Sequence, residues 1–304
     1  MPVARLQPKE YIRNGPPETT RYSRKEALEY TRWLATHHYE NFHVVSALLP
    51  KKLHQHFYNV YSFCRWADDL GDEIGNTQES LRLLAWWRTE LQAMYRGETS
   101  HPVFVALEET VRGYGIPAEP FDRLICAFEQ DQTVTRYRNF EELYGYCLNS
   151  ANPVGHLVLY LCGYRDTERQ RFSDFTCTAL QLANFWQDVI VDLEKGRIYL
   201  PLNLFDKHEY SIDDLNARRF DERFKRMMRE AVDIANDLFR RGLPLIEMVN
   251  RRLALDLELF SRGGMKILDK IRRQNYNVLD RRPYISKVER ASILLRCLPR
   301  VLPF

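Results

Sequence analysis

Apolar positions along this chain return every three or four residues, the period of a helix laid against a core. From about Lys51, one such stripe reads Leu53, Phe57, Val60, Cys64 and Ala67. A second face of the same segment reads Tyr61, Arg65, Asp68, Asp69 and Asp72, with Gly71 and Gly75 marking its end. Helical signal begins earlier, at Ser23, an N-cap candidate with Glu26 three positions on, the capping-box pattern. It runs through Leu28, Tyr30, Trp33 and Leu34, with a break expected near 37–41 and another at Pro50. Thr77 or Ser80 opens a helix closed by Gly97, and two more are expected from Pro102 to Val111 and from Pro117 to Phe128. Glu141 to Ser150 is helical until Asn152-Pro153-Val154-Gly155 interrupts it, since proline frees a carbonyl and kinks the rod. A helix follows over 173–194 with Gly196 as its C-cap, then a basic, extended exit from Lys195 to Pro201. Long helices are expected at about 213–240, 244–260 and 264–275, and a last one near 286–298. No strand alternation persists. The pattern predicts one all-α domain over residues 23–304, preceded by an irregular arm at 1–22 with Pro2, Pro8, Gly15, Pro16 and Pro17.

Composition narrows the class. The chain has 304 residues, 45% hydrophobic and 12% aromatic, enough for a sizeable core. Its net charge of +3 is small beside 44 basic and 41 acidic side chains, so it carries no nucleic-acid footprint. Gly113-Tyr114-Gly115 lacks the third glycine and the preceding strand of a dinucleotide fingerprint and reads as a turn. Six scattered cysteines without Cys-x-x-Cys spacing read as free thiols in a reducing compartment. No signal peptide and no apolar run of spanning length appear, which points to a cytoplasmic protein. The tail, Leu294 to Phe304, is compatible with a peripheral contact on the inner face of a membrane or with a last helix packed on the domain.

Two acidic segments carry the chemistry. Asn184, Asp188 and Asp192 recur every fourth residue, and with Gln181 and Cys177 they stack on one face of a helix that is otherwise apolar. Unpaired charge on such a helix is costly, and a divalent cation would compensate it. A polar face turned to water is the plainer alternative. Asp68, Asp69 and Asp72 lie at a helix carboxyl end, where the helix dipole disfavours negative charge; an exposed acidic turn is the alternative there. Together the two rows would suit several Mg²⁺ ions, which accept one or two carboxylates each and leave room for phosphate oxygens. The bound group would then be a diphosphate, with Arg65, Lys195, Arg197 and Tyr199 available to its remaining oxygens. Heterolysis of its C–O bond would leave a carbocation, which aromatic faces stabilise.

These residues resemble a known family. Tyr61-Ser-Phe-Cys-Arg65-Trp-Ala-Asp68-Asp69-Leu-Gly-Asp72 is similar to the first aspartate-rich motif of the squalene/phytoene synthases. Asn184-x-x-x-Asp188-x-x-x-Asp192, followed by Gly196-Arg197-Ile-Tyr199-Leu-Pro201, is similar to the second, and Tyr146 to Gly155 to the helix between them. The resemblance spans about residues 25–290. It implies the single-domain helical bundle of the isoprenoid synthases around a central cavity, Mg²⁺ dependence, and head-to-head chemistry on an isoprenoid diphosphate lipid. It implies Asp68, Asp69, Asp72, Asn184, Asp188 and Asp192 as metal ligands. Tyr146, with Asp68, Asp72 and Asp188, would be catalytic. Candidate substrate contacts are Asn41, Tyr61, Arg65, Asn149, Gln181, Asn184, Gln187, Lys195, Arg197 and Tyr199.

Departures from the family pattern indicate the branch. The chain has Glu40-Asn41-Phe42 near the first helix, Gln187 where an arginine is usual, Asn-Pro-Val-Gly at 152–155, and Gly263-Gly264 and Arg281-Arg-Pro283 in the tail. These resemble the bacterial hydroxysqualene synthases of the hopanoid pathway. Such enzymes ionise presqualene diphosphate, rearrange the cation and quench it with water, with no nicotinamide expected. The resemblance also implies functional coupling to a presqualene diphosphate synthase and to a desaturase or reductase. The alternatives are a head-to-head prenyl transferase (a presqualene diphosphate, phytoene or squalene synthase) and, more remotely, a non-catalytic scaffold of the same fold. Gln187 itself removes a fixed positive charge from beside the expected diphosphate.

Overall fold

The computed structural model describes residue 12 and residues 22–37 and 50–297. The described residues form no strand; helices and short connections make up the chain, with one isolated bridge between Arg136 and Ile198. The all-helical architecture expected from the periodicity is the one present. The chain divides into two compact units, residues 1–133 with 156–165, and residues 134–155 with 166–304.

The first unit holds α1 (Arg24–His37), α2 (Lys51–Asp72), α3 (Thr77–Arg96), α4 (Pro102–Tyr114) and α5 (Glu119–Gln130). Ser23 and Glu26 form the expected reciprocal cap: the Ser23 amide donates to Glu26 Oε2 (2.8 Å) and the Glu26 amide to Ser23 Oγ (3.3 Å). Helix α2 is central and packs on the other four. Its buried face sets Phe63 and Trp66 against Trp87 of α3 and Phe121 of α5, with the two indoles stacked at 5.2 Å and 9°. His101 caps the start of α4 and packs on both indoles; burial pushes its pKa down to about 3, so the ring stays neutral. One buried amide ties three helices together. Asn59 of α2 accepts from Thr31 of α1 (2.7 Å) and donates to the Ala106 carbonyl (2.9 Å) and Thr110 hydroxyl (3.0 Å) of α4.

The second unit holds α6 (Phe140–Ser150), the start of α7 (Asn152–Leu161), α8 (Thr167–Gln187), α9 (Val189–Glu194), α10 (Leu202–Lys207), α11 (Ile212–Asn216), α12 (Glu222–Gly242), α13 (Arg251–Arg273) and α14 (Lys287–Cys297). Helix α8 is its axis, packed on α6, α12 and α13. Small residues permit this closeness. A Cβ on Gly155 would collide with Ser173 Oγ and Cys177 Sγ of α8, and one on Gly242 with Thr176. The Trp186 indole donates to the Ala231 carbonyl across the α8–α12 contact (3.0 Å).

Three helix boundaries differ from expectation. The segment expected as one helix over 173–194 begins at Thr167, capped by Asp166, and is interrupted at Asp188 (φ −107°, ψ 18°). The expected helix at 213–240 is two, because Arg218 adopts positive φ and Asp221 caps a new start by accepting from the Arg223 and Phe224 amides. The two helices expected at 244–260 and 264–275 are a 3₁₀ turn (Leu243–Glu247) and the unbroken α13. Gly264 is not a stop signal there: a Cβ would fall on the Phe239 ring and press on Leu180, so glycine serves packing. A break between α6 and α7 is present as expected, but it falls at Ala151, and Asn152 to Gly155 open α7 rather than interrupting a helix.

All six cysteines are free. Among the described residues no helix is long and apolar enough to cross a membrane. Asn41, with Glu40 and Phe42, lies outside the described residues, as do the arm apart from residues 12 and 22 and the tail beyond Cys297.

Candidate active site

The first carboxylate row closes α2. Tyr61, Arg65, Asp68 and Asp72 follow one another at three and four residues, so they share a face; Asp69 is turned inward and buried. Arg65 reaches both neighbours, Asp68 at 3.2 Å and Asp69 in a closer ion pair. Burial pushes the Asp69 carboxyl up to about 6; Arg65 opposes this and the charge of Asp68 adds to it. The end of the helix is fixed from outside: the Gly71 carbonyl accepts from Gln132 Nε2 (3.0 Å) and Ser80 Oγ (3.3 Å). Negative charge is thus held at the unfavourable pole of a helix, with Arg65 set against Asp68 and Asp69.

The second row spans the α8–α9 break. The rod is interrupted at Asp188, yet the Asp188 amide still donates to the Asn184 carbonyl (2.9 Å) and the Asp192 amide to the Asp188 carbonyl (2.8 Å). Four-residue spacing therefore survives the kink. Burial and the charge of Asp188 push the Asp192 carboxyl up to about 7, with Lys195, Arg197 and Arg282 opposing. Gly196, at φ 77°, ends α9 as expected, and the Arg197 amide returns to the Asp192 carbonyl (2.8 Å). Residues 198–203 then run beside 135–138, with Ile198, Leu202 and Asn203 amides donating to the Thr135, Tyr137 and Arg138 carbonyls.

That exit places an aromatic group next to the row. Tyr199 stacks on Phe185 of α8, and Tyr146 of α6 and Tyr137 complete a cluster with ring centroids 5.6–6.2 Å apart. Tyr146, the catalytic candidate, is buried within it, while Asn149 one turn on and Gln181 on α8 are half-buried. Lys195 and Asn184 are exposed.

Gln187 is expected among the substrate contacts, and Arg282 carries no expected role. Gln187 is buried and donates its amide to the Pro283 carbonyl (2.6 Å). The neighbouring Arg282 lays its guanidinium on Asp188, Nη2 to Oδ2 at 3.1 Å and Nε in closer contact with Oδ1. Positive charge beside Asp188 thus comes from a residue 94 positions further along the chain. Tyr137 was also missed. Arg281-Arg282-Pro283 is visible as a motif in the sequence, but nothing local says where it docks.

Among the described residues no three His, Cys, Asp or Glu side chains gather closely enough to hold a metal alone. Each row offers its carboxylates one turn apart, crowded enough to lift Asp69 and Asp192 well above the usual carboxylate range. This donor set fits Mg²⁺, which keeps waters and takes few protein oxygens, better than an ion needing a closed cage. A separate cavity of about 730 Å³ lies along α12, lined by Tyr144, His208, Arg226, Arg229 and Arg241 among others; no candidate site residue lines it.

The chain matches the squalene/phytoene synthase family over residues 35–289. The phytoene synthase of Thermus thermophilus is 32% identical over 258 residues, 84% of this chain and 87% of that protein. The 15-cis-phytoene synthase of Synechococcus elongatus is 29% identical over 275 residues, 86% and 89% of the respective chains. Among solved structures, squalene synthase HpnC from Alicyclobacillus acidocaldarius superposes with a TM-score of 0.81 at 44% identity, covering 84% of this chain and 96% of that one. This chain belongs to the squalene/phytoene synthase family, whose members join prenyl groups head to head.

Proposed function

We propose that this protein is a hydroxysqualene synthase: it ionises presqualene diphosphate, lets the cyclopropylcarbinyl cation rearrange, and captures it with water. The observation that carries this reading is the aromatic group of Tyr137, Tyr146, Phe185 and Tyr199, of which Phe185 and Tyr199 flank the Asp188–Asp192 row along the chain. Diphosphate-handling acids and cation-tolerant rings on one scaffold are what an ionisation enzyme needs. The higher identity to a squalene synthase (44%) than to the two phytoene synthases (32% and 29%) supports the triterpene branch.

Asp68, Asp69, Asp72, Asp188 and Asp192, with Asn184, would hold Mg²⁺. When bound, the metal neutralises charge on the departing diphosphate. Arg65, Lys195 and Arg197 bind remaining diphosphate oxygens, with Tyr61, Asn149 and Gln181 shaping the substrate's seat. The C–O bond breaks with its electron pair leaving on diphosphate. Tyr146, Phe185 and Tyr199 turn ring faces to the cation and keep bulk water away until rearrangement is complete. One water then forms the new C–O bond and loses a proton, so no reductant is consumed and no nicotinamide is required. Coupling to enzymes that supply presqualene diphosphate and that act on the alcohol follows from both being water-insoluble lipids. A cytoplasmic protein touching the membrane surface suits that cargo. Val288 and Leu295 of α14 are 79% and 66% exposed, beside the exposed Lys287, Arg290 and Arg296.

The test is a product assay with purified protein, Mg²⁺ and presqualene diphosphate in ¹⁸O-water without nicotinamide. A labelled C30 alcohol is the expected result. Turnover of farnesyl or geranylgeranyl diphosphate instead would reassign the protein to the coupling enzymes, and inertness toward all three would favour a scaffold.

A further inference from the structure

We infer that residues 282–283 form a strap that holds Asp188 in the metal-free enzyme: Gln187 anchors Pro283, and Arg282 is the counter-ion a divalent cation displaces. This rests on the reading of Asp188 as a metal ligand given above.

The strap is built in three parts. After α13, Asn275 and Tyr276 adopt positive φ and turn the chain sharply back. Gln274 Nε2 clasps the turn from within by donating to the Asn277 carbonyl (2.8 Å) and the Arg281 carbonyl (3.1 Å), and Val278 and Leu279 bury beneath it. The chain then meets the α8–α9 break. Pro283 is buried, and its carbonyl receives the Gln187 side-chain amide at 2.6 Å. Proline disfavours the helical region for the residue before it, and Arg282 lies in the non-helical stretch 281–286. Its guanidinium meets both oxygens of Asp188 as a fork.

Adjacent residues thus do opposite work. Gln187, the last residue of α8, is buried and fixes the strap's backbone; Asp188, the residue at the break, receives the charge. The Arg282 side chain is 54% exposed and that of Asp188 24%. A half-exposed arginine pair is weak enough to give way to a doubly charged ion. It is strong enough to compensate Asp188 beside Asp192 while no metal is present. Ser286 and Glu289, capping α14, and the Glu289 pairs with Lys266 and Lys270 hold the far end of the strap to α13, so Arg282 leaves Asp188 without the strap detaching.

The experiment is Mn²⁺ binding to the full chain without substrate, followed by the electron paramagnetic resonance of the free ion. Arg282→Gln is expected to bind Mn²⁺ about three-fold tighter than wild type, since it removes the competitor. Gln187→Leu is expected to move in the same direction by a smaller factor, and to add nothing in the Arg282→Gln background, because it acts only through Arg282. Circular dichroism confirms that each variant is folded. Equal or weaker binding in folded Arg282→Gln, or full additivity of the two changes, overturns the strap while leaving the metal reading intact. Absence of Mn²⁺ binding in wild type, unchanged by Asp188→Asn, overturns both.

Discussion

Phe185 and Tyr199 lie ring on ring, their centroids 3.7 Å apart and their planes 7° from parallel. One comes from the last turn of α8 and the other from the extended exit behind α9, so the stack closes the peptide loop that carries Asp188 and Asp192. It is both a structural clasp and an aromatic surface flanking the acidic row.

That double role separates two substitutions at one position. Tyr199→Phe keeps the stack and is expected to leave the product profile unchanged. Tyr199→Leu removes a cation-stabilising face and is expected to lower turnover by about ten-fold, with a larger share of early-quenched alcohols. Gas chromatography of the extracted lipid reads both effects.

Close helix contact at Gly155 predicts a stability effect without chemistry. Gly155→Ala drives a methyl into Ser173 and Cys177 and is expected to cost about 1–3 kcal/mol. Gly145→Ala, on α6 with open space around it, is expected to be neutral or mildly stabilising. Thermal melts of the two variants should move in opposite directions or differ clearly in size.

Much of this was legible in the sequence because the relevant signals are local. The stripe of α2, the Ser23–Glu26 cap, the glycine at 196 and the break before Pro153 each depend on neighbours within one or two turns. The interruption at Asp188 was not legible. Residues 181–194 contain no glycine or proline and keep a helical period, and the break falls where Pro283 and Arg282 attach from far along the chain. The division expected between 260 and 264 is absent for the opposite reason. Glycine reads as a stop, whereas at 264 it makes room for Phe239 inside a continuous helix. The acidic residues were found by spacing; their arginine partner Arg282 was not, because its partnership is set only by the fold.

Asp192 exemplifies a residue kept at a cost to stability. Burial and Asp188 raise its carboxyl to about 7, so the folded metal-free chain resists its ionisation while the unfolded chain does not. Its contribution is most favourable at low pH and is lost as pH rises from about 4 toward 7. Asp192→Asn is therefore expected to melt higher than wild type at pH 8 without metal, yet to lose at least about 100-fold in Mg²⁺-dependent turnover. A variant that is both destabilised and active would contradict the assignment.

Asp256 gives a cleaner pH experiment because burial, and no neighbouring charge, moves its titration. It lies in the first turns of α13, 2% exposed, and among the described residues neither carboxyl oxygen has a hydrogen-bond partner. Burial pushes it up to about 8. The sign follows from proton counting. Between about pH 4 and pH 8 the folded chain keeps this proton and the unfolded chain releases it, so stability falls as pH rises, by up to ~1.4 kcal/mol per pH unit. Asp256→Asn removes the titration while keeping a neutral side chain of the same shape. Denaturation midpoints should therefore favour Asp256→Asn over wild type at pH 8, with the gap shrinking steadily toward pH 4. A gap independent of pH would mean that Asp256 is already ionised at neutral pH and that its charge is met within the fold.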